Sequence, residues 1–143
     1  MRWILLIYKV PNEPSARRVY VWRKLKGMGA ILLQDSAWVL PTTSQTREKM
    51  MWLAAEIKEI EGGSATLWEA DGVFTGQDEN LVLQFSAQVD DVYRAILTQL
   101  ERDDADVMVL SKQYQQAQTR DYFQSTLGKQ VRDALLRRRG ENS

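Results

Sequence analysis

The chain has 143 residues, 44% of them hydrophobic, which fits a single domain of roughly 100–150 residues with its own core. Because it contains neither Cys nor His, a disulfide framework, a thiolate metal site and a catalytic thiol or imidazole are excluded. The formal net charge is zero, which argues against tight nonspecific DNA binding, and no apolar run reaches the roughly 20 residues of a membrane-spanning helix.

The first 41 residues predict a strand, a helix and a hairpin. Residues 3–10 form an apolar run of strand length that ends at a pair of prolines. Residues 16–26 predict a helix with Ser15 as its N-cap. Residues 30–33 and 37–40 have the spacing of a β-hairpin.

A second helix and a fourth strand complete this pattern. Thr42 and Gln45 have the capping-box spacing before a helix with one clean apolar face, and residues 65–70 predict a strand. The order β-α-β-β-α-β is the split βαβ pattern, so we predict an α+β fold with a ferredoxin-like core over residues 1–76 and an antiparallel sheet in the order 4-1-3-2. Each of the five tryptophans lies in a different element of this unit, which predicts one shared core: Trp3, Trp22, Trp38, Trp52 and Trp68.

Residues 77–143 predict a helical extension packed on or beside the core as one structural unit. Apolar residues three and four apart from Asp78 to Leu100 predict a long amphipathic helix. Asp106 fits the start of a second helix, because a helix C-terminus is already negative, and a third helix follows Ser125. The long apolar stripe has to be buried, so we predict a homodimer unless the second helix covers that stripe; sheet edges offer another pairing route.

No catalytic or metal site stands out in the sequence. Ser36 and Ser125 have no His partner and lie in no nucleophile elbow. Glu69 and Asp71 share a strand face, but they are more typical of solvated carboxylates than of a Mg²⁺ site. We therefore predict a protein that is not an enzyme, with no catalytic residue, metal or cofactor.

The candidate binding residues are cations. The zero net charge hides a basic–acidic–basic layout: residues 1–49 have nine Lys and Arg against three Asp and Glu, residues 50–106 three against 13, and residues 107–143 seven against three. This layout permits a basic patch for polyanions or pairing between the blocks; in the second interpretation Trp22 lies in the core and the cations form a solvated face. Candidate contacts to nucleic acid or to a protein partner are Arg17, Arg18, Arg23, Lys24, Arg120, Arg137 and Arg138.

Several phrases of the sequence resemble the family of N-terminal domains of chromate resistance protein B. They are Trp3-Ile-Leu-Leu-Ile, Pro11-x-Glu13, Trp22-Arg23-x-Leu25-Lys26-x-x-Gly29-Ala30, Trp38-Val39-Leu40-Pro41, Phe85 and Arg120-Asp121-Tyr122-Phe123. The stretch from Trp22 to Pro41 is also similar to the Cas2-like domain of phenylacetate-degradation repressors, which implies the same ferredoxin-like core.

The resemblance implies a bacterial, cytoplasmic protein of chromate-responsive transcriptional regulation, with DNA as one candidate partner and no membrane. Family members typically carry a second, C-terminal domain, which this chain does not reach, so a separately encoded second domain is another candidate partner. The Cas2 likeness also raises a metal-dependent nuclease, but Tyr8-Lys9-Val10 stands where such a nuclease has an Asp. The family resemblance favours a DNA-binding regulator over a docking or dimerisation module.

Overall fold

In residues 1–141, which the computed structural model describes, the chain forms four strands and five helices. They are β1 (Arg2–Lys9), α1 (Ser15–Gly27), β2 (Ile31–Gln34), β3 (Ala37–Pro41), α2 (Ser44–Glu59), β4 (Ser64–Asp71), α3 (Gln77–Leu100), α4 (Val107–Gln118) and α5 (Thr126–Glu141). The chain divides into two compact units, the first Met1–Glu79 and the second starting at Asn80. Residues 142–143 of the predicted extension lie outside the described residues. No described helix is long and apolar enough to cross a membrane.

The four strands form one antiparallel sheet in the order β2-β3-β1-β4. This is the predicted order 4-1-3-2 counted from the opposite edge, and the element order of the unit is that of the predicted split βαβ pattern. β1 is a central strand that pairs with β4 over its whole length, with Arg2 opposite Asp71 and Lys9 opposite Ser64. On its other side, β1 pairs with β3.

One face of the sheet and two helices supply the core of the first unit. Ile4 and Leu6 of β1 are buried, and α2 packs against β1 and β4. Helix α1 buries Val21 and Leu25. Helix α2 buries most of the apolar face that periodicity predicts, namely Met50, Leu53, Ala54 and Ile57.

The prediction of one core shared by five tryptophans is wrong. Trp3 and Trp38 are buried, but Trp22, Trp52 and Trp68 are 51%, 67% and 57% exposed. In α1 the buried positions lie four residues apart, and Trp22 lies about 100° around the helix from the first of them. The indole of Trp22 is therefore part of the cationic surface of α1.

The cap of α2 lies one residue later than predicted. Thr43, and not Thr42, is the N-cap, and its hydroxyl accepts a hydrogen bond from the Thr46 amide at 3.0 Å. Thr46 Oγ1 accepts from the Thr43 amide at 2.8 Å and donates to the carbonyl of Pro41 at 2.6 Å. Buried Thr46 thus takes the place of the predicted Gln45, because its short hydroxyl reaches two backbone groups at once.

We expect Thr43→Ala to lower the free energy of unfolding of the first unit by about 1 kcal/mol, because the Thr46 amide loses its cap. The matched control is Thr42→Ala, since the buried Thr42 hydroxyl has no hydrogen-bond partner among the described residues. Urea denaturation followed by tryptophan fluorescence measures both, because all five tryptophans lie in the first unit. A loss confined to Thr42→Ala would contradict the assignment.

Helices α3, α4 and α5 form the core of the second unit. Its buried members are Val89, Tyr93, Ile96 and Leu100 of α3, Leu110 and Ala117 of α4, and Val131 and Leu135 of α5. Asp106 accepts from the Val109 amide at 3.2 Å as the N-cap of α4, which confirms that it begins the second helix. The apolar stripe of α3 is thus covered within its own unit, and the predicted homodimer rests on the sheet edges alone.

Candidate nucleic-acid interface

Helix α1 carries five cations and no carboxylate. It begins at Ser15 itself, with Pro14 in the N-cap position and no side-chain cap, so the prediction of Ser15 as N-cap is wrong by one residue. The buried positions occupy one side of the helix, and the rest of its surface faces solvent. The exposed cations are Arg17, Arg18, Arg23, Lys24 and Lys26.

These five cations form no ion pair with any carboxylate that the structure describes. Among the side chains that the structure describes, no carboxylate oxygen lies within 4.0 Å of any of them. Pairing between the basic and acidic blocks occurs elsewhere: Arg2 lies 3.6 Å from Glu69 and 3.5 Å from Asp71, and Arg47 lies 3.4 Å from Glu69. The two strand carboxylates therefore face arginines, and the unpaired positive charge of the first unit is concentrated on α1.

Two exposed aromatic side chains lie among the cations of α1. Lys24 Nζ is 5.6 Å from the ring centroid of Tyr20, and Lys26 Nζ is 5.9 Å from that of Trp22. The Tyr20 hydroxyl donates to Glu56 of α2 at 2.5 Å, and this hydrogen bond raises the pKa of Tyr20. Exposed aromatic faces beside cations are typical of surfaces on which nucleic-acid bases stack while the cations contact phosphates.

A cavity of about 460 Å³, here named the Tyr8 cavity, borders the first half of α1. It lies between the C-terminal end of β1, the start of α1 and the turn between β2 and β3. Its walls include Tyr8, Asn12, Arg18, Trp22, Asp35 and Ser36. Tyr8 is half-buried, and burial raises the pKa of its hydroxyl.

A second cavity, here named the Lys49 groove, borders the second half of α1. Its volume is about 550 Å³, and it brings Arg23 and Lys24 together with Lys49 of α2 and the ring of Tyr20. No carboxylate lines this groove among the described residues. Three cations therefore converge where no described side chain neutralises them.

The structure distributes the predicted cations of α1 among three cavities. Arg18 lines the Tyr8 cavity, and Arg23 and Lys24 line the Lys49 groove. Arg17 borders a third cavity of about 280 Å³, together with Glu13 and Glu61. The carboxylates beside Arg17 make its position the least favourable of the four for an anion.

The other predicted cations belong to the second unit and differ in what they contact. Arg138 donates to the Leu100 carbonyl at 3.1 Å and to the Arg102 carbonyl at 3.3 Å, so its guanidinium covers the C-terminal end of α3. Arg137 is exposed on α5. Burial raises the pKa of Tyr122 to about 12, and the charge of half-buried Arg120 opposes that rise.

No pattern in the sequence identifies Lys49 as a member of the cationic surface. It is the residue before the buried Met50 on α2, and only the contact between α1 and α2 places it beside Arg23. The exposure of Trp22 could have been predicted from the sequence. Val21 and Leu25 define an apolar face at four-residue spacing, and Trp22 is not part of that spacing.

The chain matches the model of a known protein family. The family described as "Protein ChrB, N-terminal" matches residues 18–106, which begin in α1 and end just before α4. Protein ChrB of Cupriavidus metallidurans is 33% identical over 60 residues, which are 42% of this chain. The matched stretch spans 18% of that protein's length.

Proposed function

We propose, because the chain belongs to the family of ChrB N-terminal domains, that it is a non-enzymatic regulatory domain of chromate resistance whose ferredoxin-like first unit binds DNA. The observation that carries this proposal is the surface of α1, with two exposed aromatic rings and five cations that pair with no described carboxylate. We further propose that the protein acts in the cytoplasm, where its target DNA lies.

The electrostatics of α1 favour a polyanion over a small carboxylate. At about 1.5 Å per residue, its 13 residues extend about 20 Å, while duplex DNA carries one negative charge per about 1.7 Å of axis. Several phosphates therefore lie within reach of one helix. Because the cations of α1 have no ion pair with a described carboxylate to break, phosphate contacts gain free energy from counterion release and cost mainly the displacement of water.

The neutral total charge is compatible with this proposal. Three carboxylates of the acidic block contact cations outside α1: Glu69 contacts Arg2 and Arg47, Asp71 contacts Arg2, and Asp78 contacts the N-terminal amine at 3.1 Å. The local field at α1 and Lys49 is what a phosphate backbone encounters at close range, because salt screens charges more than about 8–10 Å away.

Binding of duplex DNA from upstream of its own operon, measured across a salt series, tests the proposal. We expect the logarithm of the affinity to fall linearly with the logarithm of salt concentration between about 50 and 200 mM. Arg23→Glu/Lys24→Glu removes two cations of the Lys49 groove, so we expect an affinity loss of about tenfold or more and a slope shallower by about two units.

The matched control is Lys112→Glu/Lys129→Glu, which makes the same change of charge at exposed positions of α4 and α5. Its salt slope should stay within error of the unmodified protein. If the two double variants lose affinity equally, the effect is one of total charge and the assignment to α1 is wrong. If no binding is detected at about 50 mM salt, the DNA-binding function itself is overturned.

A second candidate function is a docking module for a protein partner. Met51 and Trp52 are adjacent on α2 and are 56% and 67% exposed, which is unusual for such large apolar side chains. The partner in this case is a separately encoded domain or a second copy of the chain. Absence of DNA binding at low salt would favour this function over the regulator.

A further inference from the structure

The Tyr8 cavity combines features that a phosphate backbone alone does not need. It is a concave space of about 460 Å³, within the range of ligand pockets, whereas phosphates bind to open cationic surfaces. One wall is the indole of Trp22, which is half exposed. Arg18 and Lys9 provide two positive charges at the same cavity, against the one negative charge of Asp35 among its described lining residues.

We propose that the Tyr8 cavity receives one unstacked nucleobase of a bound strand, with Trp22 as its stacking surface and Arg18 and Lys9 as contacts to the flanking phosphates. The inference rests on the proposed DNA-binding function and names the form of nucleic acid that the site prefers. It predicts a preference for single-stranded or locally opened DNA over intact duplex.

The chemistry of the walls matches a flat, polar-edged ring. Every base offers a π-face, and stacking on an aromatic side chain tolerates any sequence. Asn12, Ser36 and the hydroxyl of Tyr8 provide donors and acceptors for the edge of the ring. A tyrosine hydroxyl is protonated at neutral pH, and burial raises the pKa of Tyr8 further, so this hydroxyl can donate.

The position of the cavity continues the surface assigned to the backbone. Arg18 and Trp22 lie four residues apart on α1, so they are neighbours on one side of the helix. Arg23 and Lys24 then follow on the same helix and line the Lys49 groove. A strand that runs along α1 would therefore place its phosphates on these cations and one base at the cavity.

A base inside an intact duplex is stacked on both sides and cannot enter. Extrusion of such a base requires unstacking and unpairing, and this cost is smallest when the base is already single-stranded. The cavity therefore adds affinity for a single strand and little for a duplex.

Three DNA probes of equal length test the inference: a single strand, the corresponding duplex, and a single strand whose central sugars carry no base. All are titrated across the same salt series against the full chain, Trp22→Leu and the control Trp68→Leu. Trp68 of β4 is 57% exposed, close to the 51% of Trp22, and lies outside the cavity, so its replacement removes a similar aromatic surface elsewhere.

We expect Trp22→Leu to weaken binding of the single strand about tenfold, as loss of one stacked base does. Binding of the duplex, whose bases are already stacked on one another, should weaken much less, and the salt slope should stay the same. The unmodified protein should bind the abasic strand as weakly as Trp22→Leu binds the full strand. Trp68→Leu should match the unmodified protein.

Two results would overturn the inference in distinguishable ways. In the first result, all three probes bind with a normal salt slope, but Trp22→Leu lowers affinity for none of them, or lowers it for the abasic strand as much as for the full strand. The cavity then holds no base, although α1 still binds DNA. If no probe binds at low salt, the DNA-binding function and the inference fail together. Circular dichroism of Trp22→Leu confirms that the compared proteins are folded.

Discussion

Gly63→Ala is expected to lower the free energy of unfolding of the first unit by about 3 kcal/mol. A Cβ at this position would lie 2.2 Å from the carbonyl oxygen of Ile57 and 3.0 Å from that of Ile60. Both are backbone atoms, and Ile57 is fully buried, so neither can move aside cheaply. The amide of Gly63 also donates to the Ile60 carbonyl at 2.8 Å, and opening the turn would break that hydrogen bond.

Gly27→Ala is the control, because nothing lies within 4 Å of a Cβ at the last residue of α1. Alanine there should raise the free energy of unfolding by about 0.5–1 kcal/mol, since glycine has more freedom to lose in a helix. Urea denaturation followed by tryptophan fluorescence measures both changes. Equal small effects of the two substitutions would show that the turn after α2 accommodates a methyl group, contrary to the expectation.

Asp121→Ala is expected to destabilise the second unit by about 3 kcal/mol, because it leaves two donors without their acceptor. The hydroxyl of fully buried Tyr93 donates to Asp121 Oδ2 at 2.8 Å, and the amide of Ser125 donates to Oδ1 at 3.0 Å. Ser125 Oγ in turn donates to Asp90, so one carboxylate organises the segment between α4 and α5 against α3. Loss of the carboxylate disrupts this network.

The second unit contains no tryptophan, so its unfolding is followed by far-ultraviolet circular dichroism. The control Asp133→Ala removes an exposed carboxylate whose one ion pair among the described residues is with Arg132 beside it, and should cost less than about 0.5 kcal/mol. Tyr93→Phe/Asp121→Ala should be no less stable than Asp121→Ala alone, since it removes the orphaned hydroxyl. Strict additivity of the two single changes would contradict the coupling.

The elements and the sheet order could be predicted because their signals are local. Apolar runs of strand length, helical spacings and glycine or proline breaks each act within a few residues, and the split βαβ pattern allows few arrangements. The face that a helix buries is decided by its neighbours instead. In α1, the apolar spacing allows two buried faces that share Leu25. One would bury Val19 and Trp22, and the other buries Val21; packing beside α2 selects the second.

Candidate cations could be named from the sequence, but their roles could not. Arg23 and Arg138 are both basic residues in helices, yet one lines an open groove and the other covers the carbonyls of α3. The convergence of Lys49 with Arg23, and the pairing of Arg2 with Glu69, join residues far apart in the chain. No spacing rule within the sequence connects them.

The central position of β1 has a consequence for synthesis on the ribosome. β1 is translated before the strands that pair with it, and one of its edges remains unpaired until β4, which begins at Ser64, has followed it. At about 5–20 residues per second, that wait lasts roughly 3 to 12 s, during which an apolar strand is open to pairing with other chains. Arg2 and Lys9 flank the apolar run with charge, as residues that hinder aggregation do. Once β4 has paired with β1 and covered its open edge, Arg2 forms ion pairs with Glu69 and Asp71 of β4.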